Sequence, residues 1–173
     1  MLKRIVPAIA VIGLMSAAVL AQGAKPTDPQ IAHVAYTAGV LDIAAAQQAL
    51  KKTQNAEVRG FAESMVKDHE AVNKLALDLV AKLKVTPEDN DTSKGLTKAA
   101  EAKRAELEKL SGAAFDKAFI ANEVAYHKTV NGALEKTLIP SSQNAELKAL
   151  LQKGLKIFQG HEKHAESVAA KIK

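Results

Sequence analysis

The chain has 173 residues, of which 47% are hydrophobic, 25% charged and 3% aromatic, with no Cys or Trp and a formal charge of +5. A domain commonly holds roughly 100 to 200 residues, so this length excludes a multidomain enzyme, and the apolar share excludes a disordered chain. Without Cys there is no disulfide, thiolate metal site or thiol nucleophile, and with two Tyr and four Phe the core must come from Ala, Leu and Val, which suits close-packed helices.

Residues 1–21 read MLKRIVPAIAVIGLMSAAVLA: two positive charges, an apolar run from Ile5 to Leu20, then small residues. This is the layout of a secretory signal peptide, with cleavage predicted after Ala21. The rival reading is an uncleaved anchor, but a membrane span needs ~20 apolar residues, and Pro7 and Gly13 interrupt this one. Residues 22–27 read as a flexible linker and 28–173 as one domain. Loss of Lys3 and Arg4 with the leader leaves 22 basic and 19 acidic residues, a net +3. The basic residues are interspersed with acids, as in Lys103, Arg104 and Lys109 among Glu101, Glu106 and Glu108. With no aromatic platform beside them, they argue against a nucleic-acid partner.

Beyond the linker, helical periodicity runs almost to the end of the chain. Asp28 with Pro29 reads as an N-cap followed by Pro at the first helical position. A first helix is predicted to about Thr53 and a second, capped by Asn55, to about Val85. Pro87, Asp89, Asn90 and Asp91 break the pattern. A shorter, highly charged helix follows from about Ser93 to Leu110 and ends at Ser111-Gly112. The third main helix runs from about Ala113 to Leu138, stopped by Pro140, and the fourth from about Gln143 to Ile172. No strand pattern competes. The second and third main helices are separated by about 27 residues whose helical part spans ~26 Å at ~1.5 Å per residue. That segment serves equally a ferritin-like crossover or an up-down-up-down bundle with an ornamented loop.

Each main helix carries an ionisable residue where its apolar stripe should be unbroken. His69 lies at the centre of the stripe formed by Val58, Ala62, Met65, Val72 and Ala76. His161 lies within that of Leu147, Leu151, Phe158 and Ala165, with His164 at its edge. Asp116, Glu123 and His127 share the broad arc of Phe115, Phe119, Ile120 and Tyr126, and Glu123 and His127 are neighbours one turn apart. Asp42 shares a face with Ile31, Ala35, Ala38 and Ala45. With a crossover, Asp42, His69, Glu123, His127 and His161 all lie roughly 15 to 23 Å from one end of the bundle. Buried ionisable groups are costly unless paired or metal-bound, so convergence in one layer is the cheaper arrangement.

Two readings of this set remain. In one, His69, His127 and His161 ligate a transition metal (Zn, Fe, Mn or Cu), Glu123 and Asp42 supply charge, and Asp68 and Asp116 orient imidazoles, with His164 as a further outer group. In the other, the same residues form a buried hydrogen-bond network in a structural or stress-related envelope protein. Di-iron bundles place Glu-x-x-His on two helices; here Val66 and Phe158 stand three before His69 and His161, which argues against dinuclear carboxylate chemistry. No nucleophile elbow or Gly-rich phosphate loop is present, so no catalytic residue is assigned. Gly160 reads equally as a point where helices approach beside His161 or as a tolerated helix glycine costing ~1 kcal/mol.

Phe61-Ala62, Met65-Val66-Lys67-Asp68-His69, Ser111-Gly112-Ala113-Ala114-Phe115-Asp116, Phe119, Val124, His127, and His161 with Ala165 resemble a ferritin-like family of exported bacterial proteins. It is catalogued as a domain of unknown function, and its members are often labelled outer-membrane proteins. The likeness covers about residues 28–172. Members usually have Glu where Asp42 stands and Tyr where Phe119 stands, and His164 is additional. The resemblance implies an all-α, ferritin-like four-helix bundle with a helical crossover between the second and third main helices. It also implies a location in the periplasm or cell envelope, including association with the outer membrane or a membrane surface, but no settled activity. A third reading is an amphipathic helical protein that opens onto lipid; interior His residues are out of place on such a face.

Overall fold

A computed structural model describes residues 25–172; the predicted leader and residues 22–24 of the linker lie outside them. Helix α1 (Asp28–Lys52) starts at Thr27, whose hydroxyl accepts from Gln30 N–H while the Gln30 side chain accepts from Thr27 N–H. Asp28, expected as the cap, is instead the first helical residue. Its carboxylate is used elsewhere: Gln143 N–H donates to Oδ1 at 3.0 Å and Asn144 N–H to Oδ2 at 2.8 Å. A capping hydroxyl one residue earlier frees an acid to tie the first helix to the last.

Helix α2 (Ala56–Leu83) is capped by Asn55 as expected, and ends at Lys84 in the left-handed conformation. Helix α3 (Asp91–Glu108) is capped by Asn90, slightly earlier than predicted. Helix α4 (Gly112–Ala133) follows Ser111. Pro140 does not stop it at Leu138. A π-helical segment (Leu134–Leu138) widens the last turns, and the three-residue α5 (Ile139–Ser141) carries the proline. A proline ring collides with the carbonyl four residues back in an α-helix, and widening the turn relieves that collision. Helix α6 (Ala145–Lys171) is capped by Asn144.

The polar ties between helices define the topology. Glu88 N–H donates to Pro29 O and the Asn90 amide to Gln30 O, so α3 begins beside the start of α1. Gln48 donates to Arg104 O and Lys52 to Glu108 O, so α3 ends beside the end of α1. The Lys52 ammonium also lies over the ring of Phe115, where α4 starts. Asp28 holds the start of α6, and Lys171 at its other end meets Glu57 at 2.8 Å. Thus α3 runs alongside α1 and returns the chain to the end where α2 began, making α2 and α4 parallel. This is a ferritin-like four-helix bundle with a helical crossover.

The apolar core falls into two parts. One is built around Phe61, Met65, Phe115, Phe119 and Val168, the other around Ile31, Val34, Leu134, Leu138 and Leu151. Asp42, His69, Glu123, His127 and His161, one or two on each of the four long bundle helices, fall between these parts, so the fold delivers them to one layer.

Candidate metal centre

Asp42 arrives from α1, His69 from α2, Glu123 and His127 from α4, and His161 from α6. All five are at most 6% exposed. Ligand-type atoms of His69, His127 and His161 lie within 4.8 Å of one another, as do those of Asp42, Glu123 and His127. The imidazole centroids form a triangle with sides of 5.9, 5.2 and 5.4 Å. His127 and Asp42 link the two groups: His127 Nε2 is 3.8 Å from Asp42 Oδ2, which is 2.6 Å from His69 Nε2.

The tautomers of two imidazoles follow from their outer partners. His127 Nδ1 lies 2.9 Å from the backbone oxygen of Glu123, which can only accept, so Nδ1 carries the hydrogen and Nε2 a lone pair. His161 Nε2 donates to Asp68 Oδ2 at 3.0 Å, leaving the lone pair on Nδ1. Both lone-pair atoms are buried without a hydrogen-bond partner. Asp42 lies 2.6 Å from His69 and beside the Glu123 carboxyl, which donates to it when protonated. Native proteins pair most buried polar groups, so two buried imidazole lone pairs with no donor are unusual.

Charge is also set by burial. Burial pushes the Asp42 carboxyl up, but contact with His69 and attraction from His69 and His127 outweigh it, and Asp42 is held down at about 2. Glu123 goes the other way: burial, and then the negative Asp42 beside it, hold its carboxyl well above the usual carboxylate range. Burial lowers His127 despite Asp42. It lowers His161 to about 4 despite Asp68. At neutral pH the layer therefore holds an anionic Asp42 and neutral His127 and His161, with Glu123 shifted toward its protonated form.

Of the outer residues named from sequence, Asp68 meets His161, whereas Asp116 and His164 lie apart from the cluster. Asp116 is buried with Oδ1 unpartnered, and the His164 ring packs edge-on against Phe61 at 5.2 Å. Gly160 approaches nothing: a Cβ there would meet no atom within 4 Å. Phe158 was expected only as an apolar stripe residue, yet its ring stacks on His69 at 4.6 Å and 8°. Its position three before His161 was a usable signal, since that is where a di-iron bundle places an acid. Tyr126, whose hydroxyl donates to Ala38 O at 2.8 Å, closes the layer beside Asp42 and Glu123. A cavity of about 270 Å³ reaches those two carboxyls from the α3 side, walled by Asn122, Tyr126, Lys103 and Arg104.

The donor set suits a single ion better than a pair. Only two carboxyl groups are present, on α1 and α4, where a dinuclear carboxylate centre draws acids from all four helices. Ligand atoms of a tetrahedral site with bonds of about 2.0–2.1 Å sit about 3.3 Å apart, between the 2.6 and 3.8 Å separations of Asp42 Oδ2 from the two imidazoles.

Among solved structures, the chain is similar to a protein from Streptomyces coelicolor described as secreted, DUF305. The two share 10% sequence identity over 83% of this chain and 91% of that one, with a TM-score of 0.70. That likeness concerns the fold. No curated protein matches the chain. Residues 14–168 match the family described as Domain of unknown function (DUF4142), which spans the helical domain and every member of the polar layer. The chain belongs to the DUF4142 family.

Proposed function

We propose that this is an exported protein of the cell envelope that binds one divalent first-row transition-metal ion through His69, His127, His161 and Asp42. Glu123, beside Asp42, would supply a second carboxylate to balance the charge of a bound ion. The observation that carries this reading is the set of buried, unpartnered donor atoms from four helices. A hydrogen-bond network would explain the same residues only if they satisfied one another; Asp42 can draw on His69 and Glu123, but His127 Nε2 and His161 Nδ1 have no donor. Three imidazoles and a carboxylate suit Zn(II), Fe(II), Mn(II) or Cu(II), and cellular supply selects among them.

Binding and retention fit the site better than turnover, because the five groups are enclosed between two apolar core regions. The carboxyl-side cavity is the route by which an ion reaches them. Export is supported by the leader-like residues 1–21 and by the description of the Streptomyces relative as secreted. Among the described residues, no helix is long and apolar enough to cross a membrane.

Elemental analysis of protein purified without an affinity tag tests the reading. The expected result is about one metal ion per chain, lost in the His127→Ala, His161→Ala double variant. Substoichiometric metal in both proteins, with thermal unfolding unmoved by Zn or Fe salts, would replace it with the hydrogen-bond network.

A further inference from the structure

Between the imidazole layer and the end of the bundle where α1 begins, the helices enclose a second, larger cavity of about 620 Å³. Ala35 and Ala38 of α1, Val72 and Ala76 of α2, Leu134 at the end of α4 and Leu151 of α6 give it apolar walls. Its volume falls within the ~300–1,000 Å³ of small-molecule sites. Asp91, an exposed residue at the start of α3, is the one ionisable group on its wall among the described residues.

Asn73, one helical turn beyond His69, lines the cavity beside Phe158. It is 8% exposed, and no hydrogen bond among the described residues uses its carboxamide. Gly39 makes its place: a Cβ on Gly39 would lie 2.3 Å from Asn73 Oδ1. A glycine inside a helix is destabilising, and the amide it admits makes no hydrogen bond to the protein while keeping its polar atoms accessible at the cavity wall. Here they occur together, and the protein itself gains no hydrogen bond from either.

We infer that this cavity binds an uncharged, elongated apolar molecule whose one carbonyl or hydroxyl meets the Asn73 amide. The walls select the apolar body. The amide both donates and accepts, so it suits either polar group. A fatty-acid anion is disfavoured, because no Lys or Arg lines the cavity to balance a buried charge. Phe158, stacked on His69, separates the polar end of the bound molecule from the imidazole layer. The inference stands whether or not that layer holds a metal.

Binding of the neutral dye N-phenyl-1-naphthylamine, followed by fluorescence, tests it on the purified protein. One saturable site per chain is expected, with decan-1-ol displacing the dye at a concentration at least ten-fold lower than decanoate at pH 8. Filling the cavity with Ala35→Met and Ala76→Met should weaken dye binding at least ten-fold. Asn73→Leu should hold dye affinity within about three-fold while weakening decan-1-ol at least five-fold. In the unaltered protein, the side-chain amide resonances of Asn73 should shift as decan-1-ol is added, a readout that needs no variant to fold. Absence of a saturable dye site, displacement by decanoate as effective as by decan-1-ol, or Asn73 resonances that do not move would each overturn the inference.

Discussion

Oδ2 of Asp42 stands 2.6 Å from Nε2 of His69, joining α1 to α2 inside the core with neither side chain more than 3% exposed. A carboxylate placed there without an ion is a buried charge held by His69, His127 and Glu123; with an ion it is the anionic ligand. Asp42→Asn keeps the shape and removes the charge. We expect zinc affinity, measured by competition with a chelator, to fall by more than the ~10–100-fold lost when an outer partner of a ligand is removed. Helical circular dichroism should be retained. Unchanged affinity would remove Asp42 from the ligand set.

Burial and the negative Asp42 raise the Glu123 carboxyl and favour its protonated form. A cation arriving beside it reverses that balance, so binding should expel a proton and affinity should rise with pH. Calorimetry at pH 7 in two buffers of different ionisation enthalpy should report about one proton released per zinc ion. Glu123→Gln should release none from this position, and a wild-type value near zero would contradict the assignment.

In the metal-free protein the same groups set opposite pH trends. His161 is depressed to about 4 and His127 is also lowered, so the unfolded chain takes up protons below about 6.5 that the folded protein refuses. Their contribution is complete above 6.5 and is lost as pH falls toward about 4. Glu123 is raised, so its contribution is complete below about 4.3 and is lost as pH rises through its folded value. Asp42 adds a loss only as pH falls from about 3.9 toward 2. Below 6.5 His161, joined by His127, opposes the Glu123 loss, and above 6.5 only that loss remains, so stability should peak near pH 6.5. Urea unfolding across pH 4 to 8 should show it, and Glu123→Gln should steepen the acid limb and flatten the alkaline one.

The helices were legible because periodicity, Pro and Asn caps repeat along the chain, and the polar layer because each of its members interrupts an apolar stripe. Sequence could not decide the crossover, since the direction of α3 is set by contacts such as Gln48 with Arg104 that are 56 residues apart. The exchange of roles between Thr27 and Asp28 was hidden for the same reason, as the partners of Asp28 lie in the loop before α6. An apolar arc records burial and not height along the helix, so it could not say which groups the buried Asp116 carboxylate meets. Asn73 drew no notice because it sits beside Val72, and only the backbone of α1 at Gly39 explains how an amide fits there.

Asp28 accepts two backbone N–H groups at the entry to α6, ties that close the bundle between its first and last helices. Hydrogen bonds to a charged group contribute about 1.5–3 kcal/mol each when buried and less where solvent competes. Asp28 is half-buried, so Asp28→Ala should cost about 1–3 kcal/mol in urea unfolding. Zinc affinity should remain within about two-fold, because the site lies several turns away along α1. A variant as stable as wild type would show that the Asn144 cap alone holds that corner.

Asp68 gives the most selective test of the metal reading. Its Oδ2 accepts from His161 Nε2, which fixes the hydrogen on that nitrogen and turns the Nδ1 lone pair inward. The Asp68 side chain is 41% exposed, so its pairing adds little to stability. Removing it frees the ring to rotate and to exchange tautomers, which matters to a metal far more than to packing. Asp68→Ala should therefore lower zinc affinity by about 10–100-fold while the metal-free unfolding midpoint moves little. If His161 serves only a hydrogen-bond network, the result inverts: stability falls, and any zinc binding is indifferent to the change.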